Sequence, residues 1–273
     1  MSASTIEGTV DTVAEVTRAA RPAPARIPMS RLLSVELRKS FDTRSGFWLL
    51  ASIGIVAVLA TGAVLLFAPS DELTYDTFAG AVGFPMAVIL PMIAVLSVTG
   101  EWSQRTGLTT FTLVPHRGRT ILAKAIVAVG IGVVSMLLAF AIGAVGNLIG
   151  PMITGTDRVW DDGPAILANI VLANVLGLLV GFMLGIVIRN SAGAIVAYFV
   201  YSFVLPTLSM VLAASQDWFK DLQPWVDFNF AQGNLFNDTL TGEQWAQLGV
   251  TSIVWLVIPL AVGLRMVLRS EVK

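Results

Sequence analysis

Residues 165–214 read AILANIVLANVLGLLVGFMLGIVI (165–188), RNS (189–191) and AGAIVAYFVYSFVLPTLSMVLAA (192–214). Neither long flank contains an Asp, Glu, His, Lys or Arg. A helix needs about 20 apolar residues to cross roughly 30 Å of hydrocarbon at about 1.5 Å per residue, and both flanks are long enough. Only Arg189, Asn190 and Ser191 separate them. The stretch therefore predicts two membrane spans joined as a tight helical hairpin.

Four more apolar blocks of the same length lie outside this hairpin, at Phe47 to Phe67, Gly80 to Thr99, Ala125 to Ile149 and Trp245 to Leu264. The composition agrees with spans. The chain is 55% hydrophobic and 13% charged, where an ordinary soluble domain carries roughly 25% charge to cover its surface. The expected fold class is an all-α integral membrane protein with six transmembrane helices. Residues 1–27, rich in Ala, Thr, Arg and Pro, read as a disordered cytoplasmic tail, and residues 28–273 as one six-span transmembrane domain. A cleavable signal needs an apolar run of about 7 to 15 residues behind a basic start. No such run precedes Phe47, so the first apolar block is expected to be retained as a span.

Cytoplasmic loops carry an excess of Lys and Arg. With the N-terminus inside, 15 of the 17 basic residues fall before the first span, in the stretch 100–124, at Arg189 and at the C-terminal end. Arg158 and Lys220 alone fall outside. The expected arrangement is multi-pass with both termini cytoplasmic. A net charge of −1 leaves no basic surplus for nucleic acid. The absence of cysteine excludes disulfides and thiolate chemistry.

Several functions lack their residues. Ion-coupled transport needs a titrating or pairing group at membrane depth, and the span interiors have none. No Thr-Val-Gly-Tyr-Gly filter, no Gly-x-x-x-x-Gly-Lys-Ser/Thr phosphate loop, no Gly-x-Ser-x-Gly and no His-Glu-x-x-His occurs. The single histidine, His116, sits in a basic loop and reads as solvated or facing headgroups. Catalytic residues, metal ligands and a cofactor site in this chain are not expected.

The segment from Met29 to Arg44 predicts an amphipathic helix in the membrane interface. At 100° per residue, Met29, Leu32, Leu33 and Leu37 share one face, and Arg31, Ser34, Arg38 and Asp42 the other. Glu36 falls in the middle of the apolar stripe, where a carboxylate is costly unless a cation or backbone donor meets it. Two partnerships stay open: a local one with Lys39 or Ser40, and a tertiary one with a span-end cation such as Lys124, Arg189 or Arg265.

Between the second and third spans the chain runs GEWSQRTGLTTFTLVPHRGRTILAK (100–124). A positive-inside connection explains Lys and Arg but not this pattern of Glu, Trp and Pro. The pattern of Glu101 and Trp102, then Arg105 and Thr106, then Leu113 and Pro115, then Arg117, Arg119, Ala123 and Lys124 resembles the ABC type-2 exporter permeases, particularly actinobacterial members. Many members have Gly-Thr where this chain has Thr106 and Gly107. The likeness extends more loosely to Val35 to Lys39 and to the order of the six spans, about residues 30 to 270.

The resemblance implies a permease subunit of an ABC exporter in a bacterial cell membrane. It implies a path formed with a second copy or a paralogue, driven by a separate ATPase subunit that carries ATP and Mg. It further implies that Glu36, Arg38 and Lys39 lie on a connecting helix. The loop residues Glu101, Trp102, Arg105, Thr106, Gly107, Pro115, Arg117, Arg119 and Lys124 would dock on that ATPase. The other reading is a non-transporting scaffold or immunity-type protein that binds a lipid, peptide or protein partner; an uncoupled channel would lack a visible filter.

Residues 215–244 carry Trp218, Phe219, Trp225, Phe228, Phe230 and Phe236 beside five acids. Aromatics at this density belong at a membrane interface. An amphipathic loop on the outer leaflet explains them, and the resemblance implies short re-entrant helices before the last span. Gly177, Gly181 and Gly185 form a small-residue stripe suited to close helix approach, either within the subunit or at a dimer seam. Asn147, Asn169 and Asn174 would line a path or act as interhelical glue. Because the chain has no cysteine, topology is directly testable. Cysteines at Ser103 and Ser270 are expected to react only from the cytoplasmic side, and those at Thr74, Thr156 and Asn237 from outside. Labelling of position 103 by an impermeant reagent on intact cells would overturn the orientation.

Overall fold

The computed structural model describes residues 27–103, 117–161, 163–237 and 239–269; the side chains of Ser45, Glu101, Ser103 and Arg117 are not among the described ones. Six helices are long and apolar enough to cross a membrane, and the described residues contain no strand. The chain is a multi-pass membrane protein. A short helix α1 (Met29–Asp42) leads into α2 (Arg44–Phe67), α3 (Tyr75–Ser103), α4 (Arg117–Thr154), α5 (Pro164–Ile188) and α6 (Ser191–Ser215). Two short helices, α7 (Asp217–Val226) and α8 (Phe228–Gly233), precede α9 (Gly242–Arg269).

Helix ends are set by local chemistry. Thr43 closes α1 and opens α2: its hydroxyl donates to Lys39 O at 3.0 Å and accepts from Gly46 N at 3.1 Å. Any side chain at Gly46 would run into Ser40 O, so this elbow requires glycine. The predicted hairpin is tighter than expected. Ser191 is already helical, so only Arg189 and Asn190 connect α5 to α6. Arg189 takes the left-handed conformation at φ 57° and donates its N–H to Gly185 O at 3.0 Å, while Asn190 Oδ1 accepts from Gly193 N at 2.8 Å. A capping box of Thr241 and Gln244 starts α9.

α4 departs most from expectation. Its 38 residues begin at Arg117, eight before the expected Ala125, and at about 1.5 Å per residue exceed the roughly 30 Å of hydrocarbon by far. Nothing between Gly118 and Lys124 breaks a helix, and a helix that leaves the bilayer can carry charge. The stretch 100–124 is therefore helical at both ends, and residues 104–116 lie outside the described ones.

α3 is the hub, packing on α2, α4, α5 and α6. Of the six long helices α5 is the most enclosed and α6 the least. The main core joins Ile53 and Ala57 of α2, Met86 and Leu90 of α3, Met136 of α4, and Leu178 and Ile186 of α5. The glycine stripe lies in the α3–α5 contact of the same chain. A Cβ on Gly181 would stand 2.6 Å from Pro91 O, and one on Gly185 3.3 Å from Val95 O.

Prolines and π-helical turns open the backbone at several points, and side chains close two of the gaps. Pro91 has no N–H for Ala87 O four residues back; the Tyr198 hydroxyl of α6 donates to that oxygen at 2.8 Å. In α6 and α9, π turns span Val200–Val204 and Ile253–Val257, each followed after one residue by a proline, Pro206 or Pro259. Pro206 leaves Tyr201 O without a helical donor, and Asn229 Nδ2 of α8 donates to it at 3.1 Å.

The segment 217–236 is built into the bundle. Phe228, Ala231 and Leu235 are buried with Ala173 and Val180 of α5, Tyr198 and Tyr201 of α6, and Leu248 and Leu256 of α9. Gln232 Nε2 donates to Ala173 O at 2.7 Å, and Trp255 Nε1 to Val226 O at 2.7 Å. Trp218 stays 62% exposed, so the aromatics divide between core and surface.

Gly181→Ala is expected to cost about 1–3 kcal/mol by overpacking against backbone. Gly62→Ala, where a Cβ meets nothing within 4 Å, is expected to be neutral or slightly stabilising. Thermal unfolding of both variants in the same detergent measures the difference.

Candidate functional site

The strongest concentration of buried charge among the described residues lies where α1 meets the N-terminal turns of α4. Glu36 is 7% exposed and Lys124 6%. Lys124 Nζ donates to Glu36 Oε2 at 2.6 Å, and Lys39 Nζ donates to Glu36 Oε1 at 2.9 Å. Both carboxylate oxygens are thus engaged, and the local and tertiary partnerships coexist. Ser40 takes a different role, its hydroxyl donating to the Glu36 carbonyl at 3.2 Å. Arg265 is exposed, and Arg189 makes no pair with Glu36.

The helix wheel explains the geometry once α4 is extended. The buried line of α1 is Leu32 and Glu36, four residues apart and so on one face. Leu37, expected on that face, sits at its edge and is 45% exposed. Opposite, Arg119 and Ala123 lie one turn apart on α4, and Lys124 follows next to Ala123. Arg119 Nη2 donates to Ile27 O at 2.8 Å. Ala123 packs with Leu32, flanked by Ile27, Met29 and Leu33. Lys124 completes the line at Glu36. α1 is held at its start, its middle and its second half.

Burial alone pushes the Glu36 carboxyl up. The Lys124 charge and hydrogen bond, joined by those of Lys39, pull harder, and the net position lies below the ordinary carboxylate value. A buried pair of this kind is weak evidence for net stability, since desolvation offsets the attraction, but removing one partner costs about 3–5 kcal/mol because the other stays buried and unpaired. The contact is therefore a specific latch between two helices.

The other sequence-derived residues distribute as follows. Trp102 is half-buried against the main core, at the end of α3. Arg38 is exposed on α1. Arg105, Thr106, Gly107 and Pro115 lie outside the described residues, as do the side chains of Glu101 and Arg117. Asn147 is fully buried and donates through Nδ2 to Val159 O at 2.9 Å, pinning the 155–163 connection. Asn169 is half-buried. Asn174 is 2% exposed and donates through Nδ2 to Ile170 O at 2.9 Å in its own helix. At the opposite edge of the same bundle end, Thr99 Oγ1 and Ser191 Oγ stand 2.8 Å apart and tie α3 to α6.

Sequence reasoning missed the Arg119 to Ile27 clamp and the Leu32 to Ala123 contact. The available signal was the unbroken helix-forming stretch from Gly118, which puts positions 119 and 123 one turn apart. No protein-family model matches the chain, and no curated protein matches it.

A folded-state carboxyl depressed below its unfolded value contributes docking energy that is present above the unfolded value, about 4.3 for Glu, and lost as pH falls through the folded value. Spin labels at Ser34→Cys on α1 and Leu122→Cys on α4 report the latch. The distance is expected to stay constant from pH 7 to about 5 and to broaden only in stronger acid. With Glu36→Gln the broadening is expected at every pH.

Proposed function

We propose that the chain is the permease subunit of an ABC exporter in a bacterial cell membrane, with both termini cytoplasmic, paired with a second copy or a paralogue and driven by a separate ATPase subunit. The observation that carries this reading is the buried Glu36 to Lys124 latch. It joins α1 to the helix that emerges from the segment resembling a coupling loop.

Three further points support it. The six long helices have no Asp, Glu, His, Lys or Arg away from their ends, so an ion gradient finds no charged group to act on at membrane depth and the driving force belongs on another chain. Basic residues gather on the proposed cytoplasmic side, on α1, at the start of α4 (Arg117, Arg119, Lys124), at Arg189 just after α5 and near the end of α9 (Arg265, Arg269). The elbow at Thr43 and Gly46 joins α1 to α2 with no slack, so a load on the loop is transmitted from α4 through α1 to α2. In this reading α7 and α8 are re-entrant from the outer side and close the bundle there, and α1 lies in the inner interface with its charged face toward solvent.

The decisive experiment purifies the tagged chain from its native membrane and asks whether an ABC ATPase accompanies it. Glu101→Ala is expected to reduce that association at least tenfold, because charged contacts at a desolvated docking surface contribute several kcal/mol. Glu36→Gln is expected to retain the ATPase and lose the coupling of its hydrolysis to export. Recovery of the chain without any ATPase under conditions that preserve known exporter complexes would favour the scaffold reading.

A further inference from the structure

α1 gives one side to α4, through Leu32 and Glu36, and leaves two others open. Leu33, Leu37 and Phe41 follow one another at one-turn spacing, and Phe41 is 53% exposed. Past the elbow the apolar surface continues with Phe47 and Trp48 near the start of α2, 54% and 63% exposed. Beside this ridge stand two exposed arginines, Arg38 in the second half of α1 and Arg44 at the first position of α2. Neither makes a hydrogen bond or ion pair through its side chain among the described residues, and the exposed Asp42, one turn beyond Arg38, does not pair with it. Lys39 differs, since it is engaged with Glu36.

The depth of these groups follows from where charge stops. Lys124 is the last charged residue of α4 before an uncharged run from 125 to 156, and Arg44 the last before an uncharged run from 45 to 70. Both therefore mark the level at which hydrocarbon begins at this end of the bundle. α1 is tied to both marks, to Lys124 through Glu36 and to Arg44 through the Thr43 elbow, so its second half lies at that level. Arg38 and Arg44 then stand among headgroups, where phosphate oxygens accept charge-assisted bonds from a guanidinium. Phe41, Phe47 and Trp48 reach the adjoining edge of the acyl layer. A soluble anion would satisfy the arginines and leave the aromatic ridge uncovered, and an uncharged apolar partner would do the reverse. A phospholipid supplies both halves in one molecule.

We propose that the α1–α2 elbow is a binding site for an anionic phospholipid, with Arg38 and Arg44 bonding its headgroup phosphate and Phe41, Phe47 and Trp48 packing on its acyl chains. The site rests on the interfacial placement of α1 given above and not on the exporter reading, so it stands or falls without an ATPase. Net charge selects the anionic class. Residues 29–44 hold four basic residues against two acidic ones, and one of those acids, Glu36, is spent on Lys39 and Lys124. A headgroup that carries its own amine therefore gains less here than one without. Because the latch at Lys124 holds α1 and the Thr43 elbow leaves no slack, both arginines are presented from a fixed backbone.

The test reconstitutes the full chain in nanodiscs of equal phosphatidylglycerol and phosphatidylcholine and counts the lipids that the chain retains by native mass spectrometry. A basic residue near a membrane surface contributes about fivefold to anionic lipid binding. Arg38→Gln and Arg44→Gln are each expected to cut the wild-type preference for phosphatidylglycerol about fivefold, and the double variant to bring it close to one. Neither side chain has a partner in the described chain, so these variants are expected to melt with the wild type. Arg158→Gln, at the opposite end of the bundle, is expected to leave the preference unchanged, and excess glycerol phosphate is expected not to displace the lipid. A bimane label on Leu37→Cys, expected to be quenched by brominated acyl chains, checks the placement of α1 separately. Quenching together with equal retention of the two lipids, with an unchanged preference in the double variant or with an equal loss in Arg158→Gln would overturn the site and leave the placement standing. Absence of quenching would overturn both. Displacement by glycerol phosphate would make this a site for free phosphate and overturn the lipid as its occupant.

Discussion

A peptide group inside hydrocarbon has no water to bond, so every backbone N–H and C=O at membrane depth must find a partner in the protein. Most of this architecture follows from that requirement. Regular helix satisfies it along most of the six long segments. Where Pro91 and Pro206 remove donors, the requirement selects specific neighbours: Tyr198 reaches across from α6 to Ala87 O, and Asn229 from α8 to Tyr201 O. These bonds are tertiary, and they set where α6 and α8 sit against α3 and each other. The prolines therefore act as attachment points whose lost bonds are recovered only in the correctly packed bundle.

The same logic explains what the sequence revealed and what it did not. Spans of about 20 apolar residues were legible because hydrocarbon thickness imposes length on each segment separately, and the α5–α6 hairpin because two spans with three polar residues between them have one way to connect. The need for a partner at Glu36 was legible from one helix wheel. Its simultaneous bonds to Lys39 and Lys124 were not, because the second depends on how far α4 extends beyond the membrane. Hydrophobicity marks where a span must be; it says nothing of where a helix stops once it has left the bilayer. The packing of Phe228 and Leu235 into the core was equally hidden, since aromatic density alone fits an interfacial loop and a buried segment alike.

The charge distribution sharpens the contrast between the two ends of the bundle. At the α1–α4 end a buried carboxylate and a buried amine, Glu36 and Lys124, pair beside the exposed Lys39, and the pair holds one geometry because partial separation would strand a buried charge. At the other end single bonds between a side chain and backbone do the joining, mostly neutral ones such as Gln232 to Ala173 O and Asn147 to Val159 O, beside the bond from Asp76 N–H to the Asp161 carboxylate. Neutral bonds of this kind are individually weaker and exchange partners at lower cost. The bundle is thus pinned rigidly where α1 docks and more softly where α7 and α8 cover it.

α3 connects these two regimes. It ends at Ser103, directly before residues 104–116, and α4 begins directly after them, so the two helices that flank that segment are the hub of the bundle and the carrier of the latch. Along α3 the first irregularity inward from Ser103 is Pro91, where Gly181 makes its close approach and where Tyr198 closes the missing bond. Ala87 and Val88, one turn further, line a mostly apolar cavity between α3, α5, α6 and α8. A helix lacking one internal bond bends more easily there than elsewhere, and the Gly181 contact gives α3 a backbone fulcrum with no side chain to cushion it. In the exporter reading proposed above, a push on the loop would then tilt the inner part of α3 against α5 at Pro91 and carry Tyr198 with it. The cavity wall and the Glu36 latch would move as consequences of one displacement, because both hang on helices that begin or end at the same loop.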